Sequence, residues 1–293
     1  MVAPASDQEV FLEAGGLRHH LTVWDGGGTT TVLFLHGWLD LGRTWTATIE
    51  ALPPGTDWHC VALDWRGHGQ TDRCPPASYY HFADYVRDLD LIARRVRRDR
   101  LVVVAHSMGA QVASLWCGAR PDQAAGLVMV EGLGPPATSP TEYVRRMATW
   151  LDETSPYDLE RFDRPMQSMD HAVARIHRAE PRIPAERVKK LAEWATVTGP
   201  DGLLRWRYDP LHRTHAPVPM PLEAGLEFWR HIAVPVLWVG GAQSPWTGAE
   251  LDKRIALLPR GTRQRVPGAG HAVQNDAPEA LATLIAGFVG SLG

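Results

Sequence analysis

The sequence has few cysteines and no long apolar run, and each of these absences argues against a class of protein. The three cysteines among 293 residues, Cys60, Cys74 and Cys117, show no CxxC spacing, so neither a disulfide framework nor a metal site is indicated. No stretch reaches the roughly 18 apolar residues that a membrane-spanning helix needs. The N-terminus shows no basic segment followed by an apolar one, so we expect a cytoplasmic protein.

Charge of one sign is also lacking. Thirty basic and 33 acidic residues give a net charge of -3, which offers no overall attraction for nucleic acid or for an anionic membrane surface. The basic run at 93–100 closes a predicted helix, where positive charge suits the helix dipole and solvent. We therefore expect neither nucleic acid nor membrane as a partner. The oligomeric state is left open.

What the sequence does contain is an alternation of apolar runs with helical patterns. The runs "VLFL", "VALD" and "LVVVA" lack strict alternation and are rich in β-branched residues, as expected for strands covered by helices on both faces. A helix is predicted at 108–119 and a further strand at 125–132. This order predicts an α/β fold with a doubly wound, mostly parallel sheet.

The pattern changes between residues 134 and 221. This segment is rich in proline and arginine, is helical in pattern and contains no convincing strand. Strand patterns return at 234–241 and 262–271, followed by a C-terminal helix. We therefore predict a sheet core formed by 1–133 and 222–293, with 134–221 inserted as a helical cap.

The stretch "VVVAHSMGA" carries the first candidate for chemistry, Ser107. A sharp strand-to-helix turn exposes a serine for attack and tolerates only small residues two positions before and after it, here Ala105 and Gly109. The alternative is an ordinary N-cap serine, which is common at helix starts. The pentapeptide alone does not decide between them.

Two further segments supply partners for such a serine. "LFLHGW" follows a predicted strand, and its loop could direct the backbone N–H of Trp38 at a developing oxyanion, with the N–H of Met108 as a second donor. His271 in the Gly-rich stretch "GAGHAV" follows the last strand and is the candidate base. His36, His68 and His106 lie near the same sheet edge and fit positioning roles, and we also count His36 and His106 as pocket candidates.

Together "LFLHGW", "VALDWRGHGQTD", "VVVAHSMGA" and "VPGAGHAV" resemble the α/β-hydrolase superfamily from about residue 9 to residue 290. The inserted segment with "GLLRWRYDP" is similar to its serine-hydrolase-like esterase group. The resemblance implies the α/β-hydrolase fold with a cap. It also gives a structural role to Asp64, Arg66, Gly67 and Gly69, which match the D-x-R-G-x-G loop of the family.

The acid departs from the commonest family arrangement. After "VPVLWVGG" this chain has Gln243 and Ser244 where an aspartate is expected, and Glu250 and Asp252 lie further along. Glu131 ends the strand that follows the nucleophile helix, 24 residues after Ser107, which places it beside the serine. This resembles the haloalkane dehalogenases, whose acid is a glutamate at the corresponding place, although their nucleophile is an aspartate. The alternative for Glu131 is a polar residue that ends a buried strand.

These residues predict a Ser107–His271–Glu131 triad that cleaves carboxylic esters, thioesters or lactones through an acyl-enzyme, without cofactor or metal. The expected partner is a small molecule with an acyl group. The cap would line its pocket with apolar side chains: Met147, Trp150, Leu151, Met166 and Met169 from the cap, together with Trp246. Cofactor-independent oxygenation, carbon–carbon bond hydrolysis and a non-catalytic binding protein remain alternatives on the same fold.

Overall fold

The computed structural model describes residues 7–132, 134, 137–154, 161–246 and 248–293. Its strands are β1 (Gln8–Ala14), β2 (Leu17–Asp25), β3 (Thr30–Leu35), β4 (His59–Leu63), β5 (Arg100–His106), β6 (Gly126–Val130), β7 (Thr196–Thr198), β8 (Leu204–Trp206), β9 (Val236–Gly241) and β10 (Gly261–Val266). Its α-helices are α1 (Thr46–Glu50), α2 (Phe82–Val96), α3 (Met108–Ala119), α4 (Pro140–Thr154), α5 (Met169–Ala179), α6 (Ala185–Ala195), α7 (Leu222–Arg230), α8 (Ala249–Ile255), α9 (Val273–Asp276) and α10 (Pro278–Gly290). Short 3-10 turns cover Gly42–Trp45 and Pro210–Arg213.

Eight strands form one sheet in the order β1-β2-β4-β3-β5-β6-β9-β10. Strands β4, β3, β5, β6, β9 and β10 run parallel, whereas β2 is antiparallel to both β1 and β4. The predicted doubly wound, mostly parallel sheet is confirmed. Strand β1 was not predicted from the sequence.

The central strands β3, β5, β6 and β9 are buried on both faces, which explains their unbroken apolar runs. Val103 and Ala105 of β5 join the cluster that packs under α2, α3 and α7, and Val102 and Val104 join the cluster under α1 and α10. Burial of both faces removes the hydrophobic–polar alternation that a half-exposed strand would show. Because these strands run parallel, they end at one carboxyl edge of the sheet. The loops that follow β3, β5, β6, β9 and β10 meet at this edge.

The segment between β6 and α7 carries helices α4, α5 and α6 and a small antiparallel hairpin of β7 and β8. The expectation of no strand in this segment was therefore wrong. Each hairpin strand is only three residues long, too short to leave a periodic signal in the sequence. Helices α5 and α6 pack against each other over small apolar clusters of their own, which include Met166 and Ile183.

Hydrogen bonds join the inserted segment to the loop after β3 and to the short helix α9. The Trp38 indole N–H donates to the carbonyl of His212 at 3.0 Å, and the Arg187 guanidinium donates to the carbonyl of Asn275 at 2.5 Å. No helix within the described ranges combines the length and apolar character needed to span a bilayer.

Candidate active site

Ser107 occupies the sharp turn between β5 and α3. Its backbone has φ 49° and ψ -113°, a left-handed conformation that is strained for a residue with a side chain. The Ser107 N–H donates to the carbonyl of Val130 at 2.9 Å, which ties the turn to the neighbouring strand. A Cβ atom at Gly109 would lie 2.6 Å from the carbonyl oxygen of His36. Glycine is required there because the helix starts directly against the loop that follows β3.

Three side chains from distant parts of the chain form one hydrogen-bonded line. The Nε2 atom of His271 lies 3.1 Å from the Oγ atom of Ser107, and its Nδ1 atom lies 3.1 Å from Oε2 of Glu131. The serine follows β5, the glutamate follows β6 and the histidine lies in the loop between β10 and α9. Because these strands are parallel, their loops converge at one edge of the sheet. An imidazole between a hydroxyl and a carboxylate is arranged to accept the hydroxyl proton.

The position of Glu131 is set by its own backbone and by two donors to its side chain. It has φ 55°, and its N–H donates to the carbonyl of Val239 at 2.8 Å. Its side chain is fully buried, and its two oxygens accept from the N–H of Gly241 at 2.8 Å and from the hydroxyl of Ser244 at 2.6 Å. Both oxygens of this buried carboxyl group therefore have a donor from the end of β9 or the loop after it.

The other two candidate acids lie elsewhere. Asp252 is more than half exposed and forms an ion pair with Arg263. Glu250 forms an ion pair with Arg254 at 3.0 Å and lies at the wall of the neighbouring cavity. Neither is hydrogen-bonded to His271 within the described part of the chain.

A cavity of about 930 Å³ opens at the serine and the histidine. Its other lining residues are Trp38, Phe82, Met108, Gln111, Glu131, Gly134, Ala137, Pro245, Trp246, Glu250, Leu251 and Arg254. Most of these side chains are apolar or aromatic, whereas the polar groups are few. Such a composition suits a small organic ligand that places one polar group at the hydroxyl.

Both residues expected to supply oxyanion donors line this cavity. Trp38 follows β3 and Met108 is the first residue of α3. Among the residues that the structure describes, no hydrogen-bond acceptor is assigned to either backbone N–H. The indole N–H of Trp38 is already engaged by His212, so it is the backbone of Trp38 that remains for a ligand.

The predicted pocket residues divide into two groups. Trp246 lines the cavity, but Met147 and Trp150 of α4 are not among its described lining residues. Met147 is exposed, and the Trp150 ring packs edge-on against Tyr79 at 5.6 Å. Met166 lies inside the inserted segment, in the cluster against which Met169 packs.

Sequence reasoning missed several cavity residues. Phe82 begins α2, Gln111 lies one helical turn after Ser107 on α3, and Leu251 and Arg254 lie on α8. Only Gln111 carried a signal, because residues four apart share one face of a helix. The others reach the cavity through the way separate helices meet, which no local pattern reports.

The neighbouring histidines are buried and do not line the cavity. Burial lowers the pKa of His36 to about 4 and that of His106 to about 3, so both rings are neutral near pH 7. The Nε2 atom of His106 lies 2.9 Å from the carbonyl oxygen of His271, and its Nδ1 atom faces Gln274 at 3.3 Å. His36 accepts the N–H of Trp65 at 3.0 Å. These contacts fit positioning of the loops rather than contact with a ligand.

The D-x-R-G-x-G loop is held by buried charge. Arg66 forms two hydrogen bonds with Asp88 of α2, at 2.6 and 2.7 Å. Asp64 accepts from the N–H groups of Gly42 at 2.6 Å and Gln70 at 2.9 Å. Across the described ranges, no group of three or more histidine, cysteine or carboxylate side chains is arranged to hold a metal ion.

The chain is similar in sequence and in fold to known proteins. A model described as the alpha/beta hydrolase family matches residues 32–284. A serine hydrolase-like protein of Danio rerio is 30% identical over 154 residues, which cover 53% of this chain and 46% of that protein. The 2-(acetamidomethylene)succinate hydrolase of Mesorhizobium japonicum is 26% identical over 289 residues, which cover 97% of both chains.

A solved thioesterase domain from the curacin biosynthetic pathway is 28% identical, with a TM-score of 0.84 over 96% of this chain and 99% of that one. The chain spans half or less of the length of the serine hydrolase-like relatives that it matches. The family model covers most of the chain. The chain belongs to the alpha/beta hydrolase family.

Proposed function

We propose that this protein is a serine hydrolase that cleaves carboxylic esters or thioesters through an acyl-enzyme intermediate. The observation that carries the proposal is the hydrogen-bonded line from Ser107 through His271 to Glu131, open to a mainly apolar cavity. A plain N-cap serine would need neither an imidazole at its hydroxyl nor a buried carboxylate behind that imidazole.

The residues act in the following roles. His271 takes the proton of the Ser107 hydroxyl as the oxygen attacks the acyl carbonyl, and the buried Glu131 carboxylate stabilises the imidazolium that forms. The backbone N–H groups of Trp38 and Met108 bind the negative oxygen of the tetrahedral intermediate. His271 then protonates the leaving alcohol or thiol, and water repeats the sequence to release the acid.

The cavity indicates the kind of substrate. Its walls include the aromatic rings of Phe82 and Trp246 and the side chain of Leu251. Binding of an apolar substituent against these walls is stabilised by about 25 cal/mol for each Å² of apolar surface that is removed from water. We infer an acyl or alcohol group of moderate size with a largely hydrocarbon or aromatic body. Thioester cleavage is included because the curacin domain is named a thioesterase.

The test compares wild type with Ser107→Ala on p-nitrophenyl esters of graded acyl length, with fluorophosphonate labelling followed by mass spectrometry. We expect labelling on Ser107 and ester turnover in wild type, and neither in the variant. Labelling or turnover that persists in Ser107→Ala would refute the assignment. Oxygen uptake by wild type with no ester turnover would instead favour the oxygenase alternative.

A further inference from the structure

The end of β9 and the loop after it hold Glu131, which follows another strand, β6. We call residues 241–246 the acid cradle. Its first residue, Gly241, donates its N–H to Oε1 of Glu131 at 2.8 Å, and Ser244 donates its hydroxyl to Oε2 at 2.6 Å. The two carboxylate oxygens are thus bound by two different donors of the acid cradle. The commonest arrangement of the superfamily has its acid after this strand, where the chain instead has Gln243 and Ser244.

The direction of the Ser244 hydrogen bond is fixed by chemistry. An ionised carboxylate can only accept, so the single hydroxyl proton of Ser244 points at Glu131. The Ser244 oxygen accepts in turn from the N–H of Trp246 at 3.2 Å. Ser244 is 5% exposed, which keeps water from replacing either of its hydrogen bonds.

The acid cradle is itself clamped by one side chain of β10. The guanidinium of Arg265 donates to the carbonyl of Gly241 at 2.5 Å and to the carbonyl of Trp246 at 3.3 Å. It thereby ties the first residue of the loop to the last. The Ser244 N–H also donates to the carbonyl of Gly241 at 3.2 Å. The hydroxyl therefore has a fixed place from which to bind the carboxylate.

We propose that Ser244 is a positioning residue, which holds the Glu131 carboxylate in the orientation that its Oε2 atom needs to accept from His271. The terminal torsion of a glutamate has a broad preference, so the side chain alone does not fix the plane of its carboxylate relative to the imidazole. With one donor on each oxygen, the carboxylate plane is fixed and Oε2 faces Nδ1 at 3.1 Å. This inference rests on the proposed function.

The test is a double-variant cycle measured as kcat on a p-nitrophenyl ester. Ser244→Ala should lower kcat about tenfold with little change in KM, because one charge-assisted hydrogen bond is lost from the acid and none from the substrate. In a Glu131→Ala background the same change should have little further effect, since the group that Ser244 orients is gone. Ser244→Cys keeps a side-chain donor, although the thiol is larger and donates more weakly, and its kcat should fall between those of wild type and Ser244→Ala.

A proton NMR spectrum supplies a second readout that a packing defect would not produce. The Nδ1–H of His271 bonded to a buried carboxylate should give a far-downfield resonance in wild type, and Ser244→Ala should shift or broaden it. An equal loss of kcat in both backgrounds, or an unchanged kcat and resonance, would overturn the inference. If Ser107→Ala abolishes turnover while Ser244→Ala has no effect, only the role of Ser244 fails. If Ser107→Ala remains active, the proposed function itself fails.

Discussion

Oε2 of Glu131 lies 3.1 Å from Nδ1 of His271, although 140 residues separate the two in the chain. The contact exists because Glu131 follows β6 and the histidine follows β10, and both strands end at the same edge of the sheet. The positive φ of Glu131 accompanies a side chain that binds Gly241 and Ser244 at the end of β9. The carboxylate that pairs with the imidazole thus follows β6, a strand in the middle of the sheet.

The first prediction concerns this charge. Glu131→Gln keeps the shape of the side chain but removes its negative charge and offers an amide that can donate to Nδ1. We expect kcat to fall by about three to four orders of magnitude, because the imidazole would be held in the wrong tautomer, while KM changes little. Steady-state kinetics on a p-nitrophenyl ester measure both constants.

Asp252→Asn is the matched control, because Asp252 also follows β9 but pairs with Arg263 on the surface. It should retain wild-type kcat. An unaffected Glu131→Gln together with an impaired Asp252→Asn would move the role of the acid to α8.

The second prediction concerns the turn at Ser107. Gly109→Ala would bring a methyl group to 2.6 Å from the carbonyl oxygen of His36 and 2.9 Å from that of Leu35. Backbone atoms cannot move away cheaply, so we expect a loss of about 1–3 kcal/mol in the free energy of unfolding. Gly287→Ala in α10 is the control, because nothing lies within 4 Å of the added methyl group. Urea denaturation measures the free energy of unfolding of both variants. Equal values for the two variants would contradict the steric argument.

The third prediction concerns the size of the substrate. Leu251→Trp would fill part of the 930 Å³ cavity with an indole ring. We expect kcat/KM for long-chain p-nitrophenyl esters to fall at least about tenfold relative to the acetate ester, because an overfilled pocket costs on the order of 1–3 kcal/mol. Met147→Trp, outside the described lining of the cavity, should leave the chain-length profile unchanged. A uniform loss over all esters would contradict the placement of the acyl group.

The fourth prediction concerns acid stability. Burial lowers the pKa of His212 to about 4, below the value near 6.5 expected in the unfolded chain. Between these two values the unfolded state binds more protons, so stability is fully present above pH 6.5 and is lost as the pH falls towards 4. The His212 ring stacks on that of His68 at 4.0 Å and lies against the tilted ring of Tyr80 at 3.9 Å, so a phenylalanine ring should fit there.

For His212→Phe, we expect the free energy of unfolding to change less steeply with pH between 6 and 4.5, by up to about 1.4 kcal/mol per pH unit. Denaturation at a series of pH values measures the slope. A slope equal to that of wild type would show that the His212 ring is already protonated in the folded protein over this range.

The sequence was most informative where structure is set locally. The helix predicted at 108–119 has these limits in α3, because an apolar strand, a serine and small residues together define the turn. Strand β1 was missed because most of its residues are exposed at the sheet edge and its pairing with β2 leaves no buried periodicity. Its apolar residues Val10 and Phe11 are among those exposed.

The residues of the candidate site differ in how far they could be foreseen. The spacing between Ser107 and Glu131 fits one helix and one strand, so parallel-sheet geometry brought them to one edge. The cavity walls depend on how α2, α3 and α8 approach each other, which is decided by side-chain packing and not by any local pattern. The apolar stripe on α4 suggested a pocket, but Met147 and Leu151 are exposed.

The acid of the site and part of its cavity wall come from segments that follow two different strands, β6 and β9. The negative charge belongs to Glu131 at the end of β6, whereas Leu251 and Arg254 of α8 shape the cavity. A substitution on α8 can therefore change which molecules fit without depriving the imidazole of its counter-charge. This leaves α8 open to diversification in evolution or to redesign in the laboratory, while the segment after β6 stays under chemical constraint.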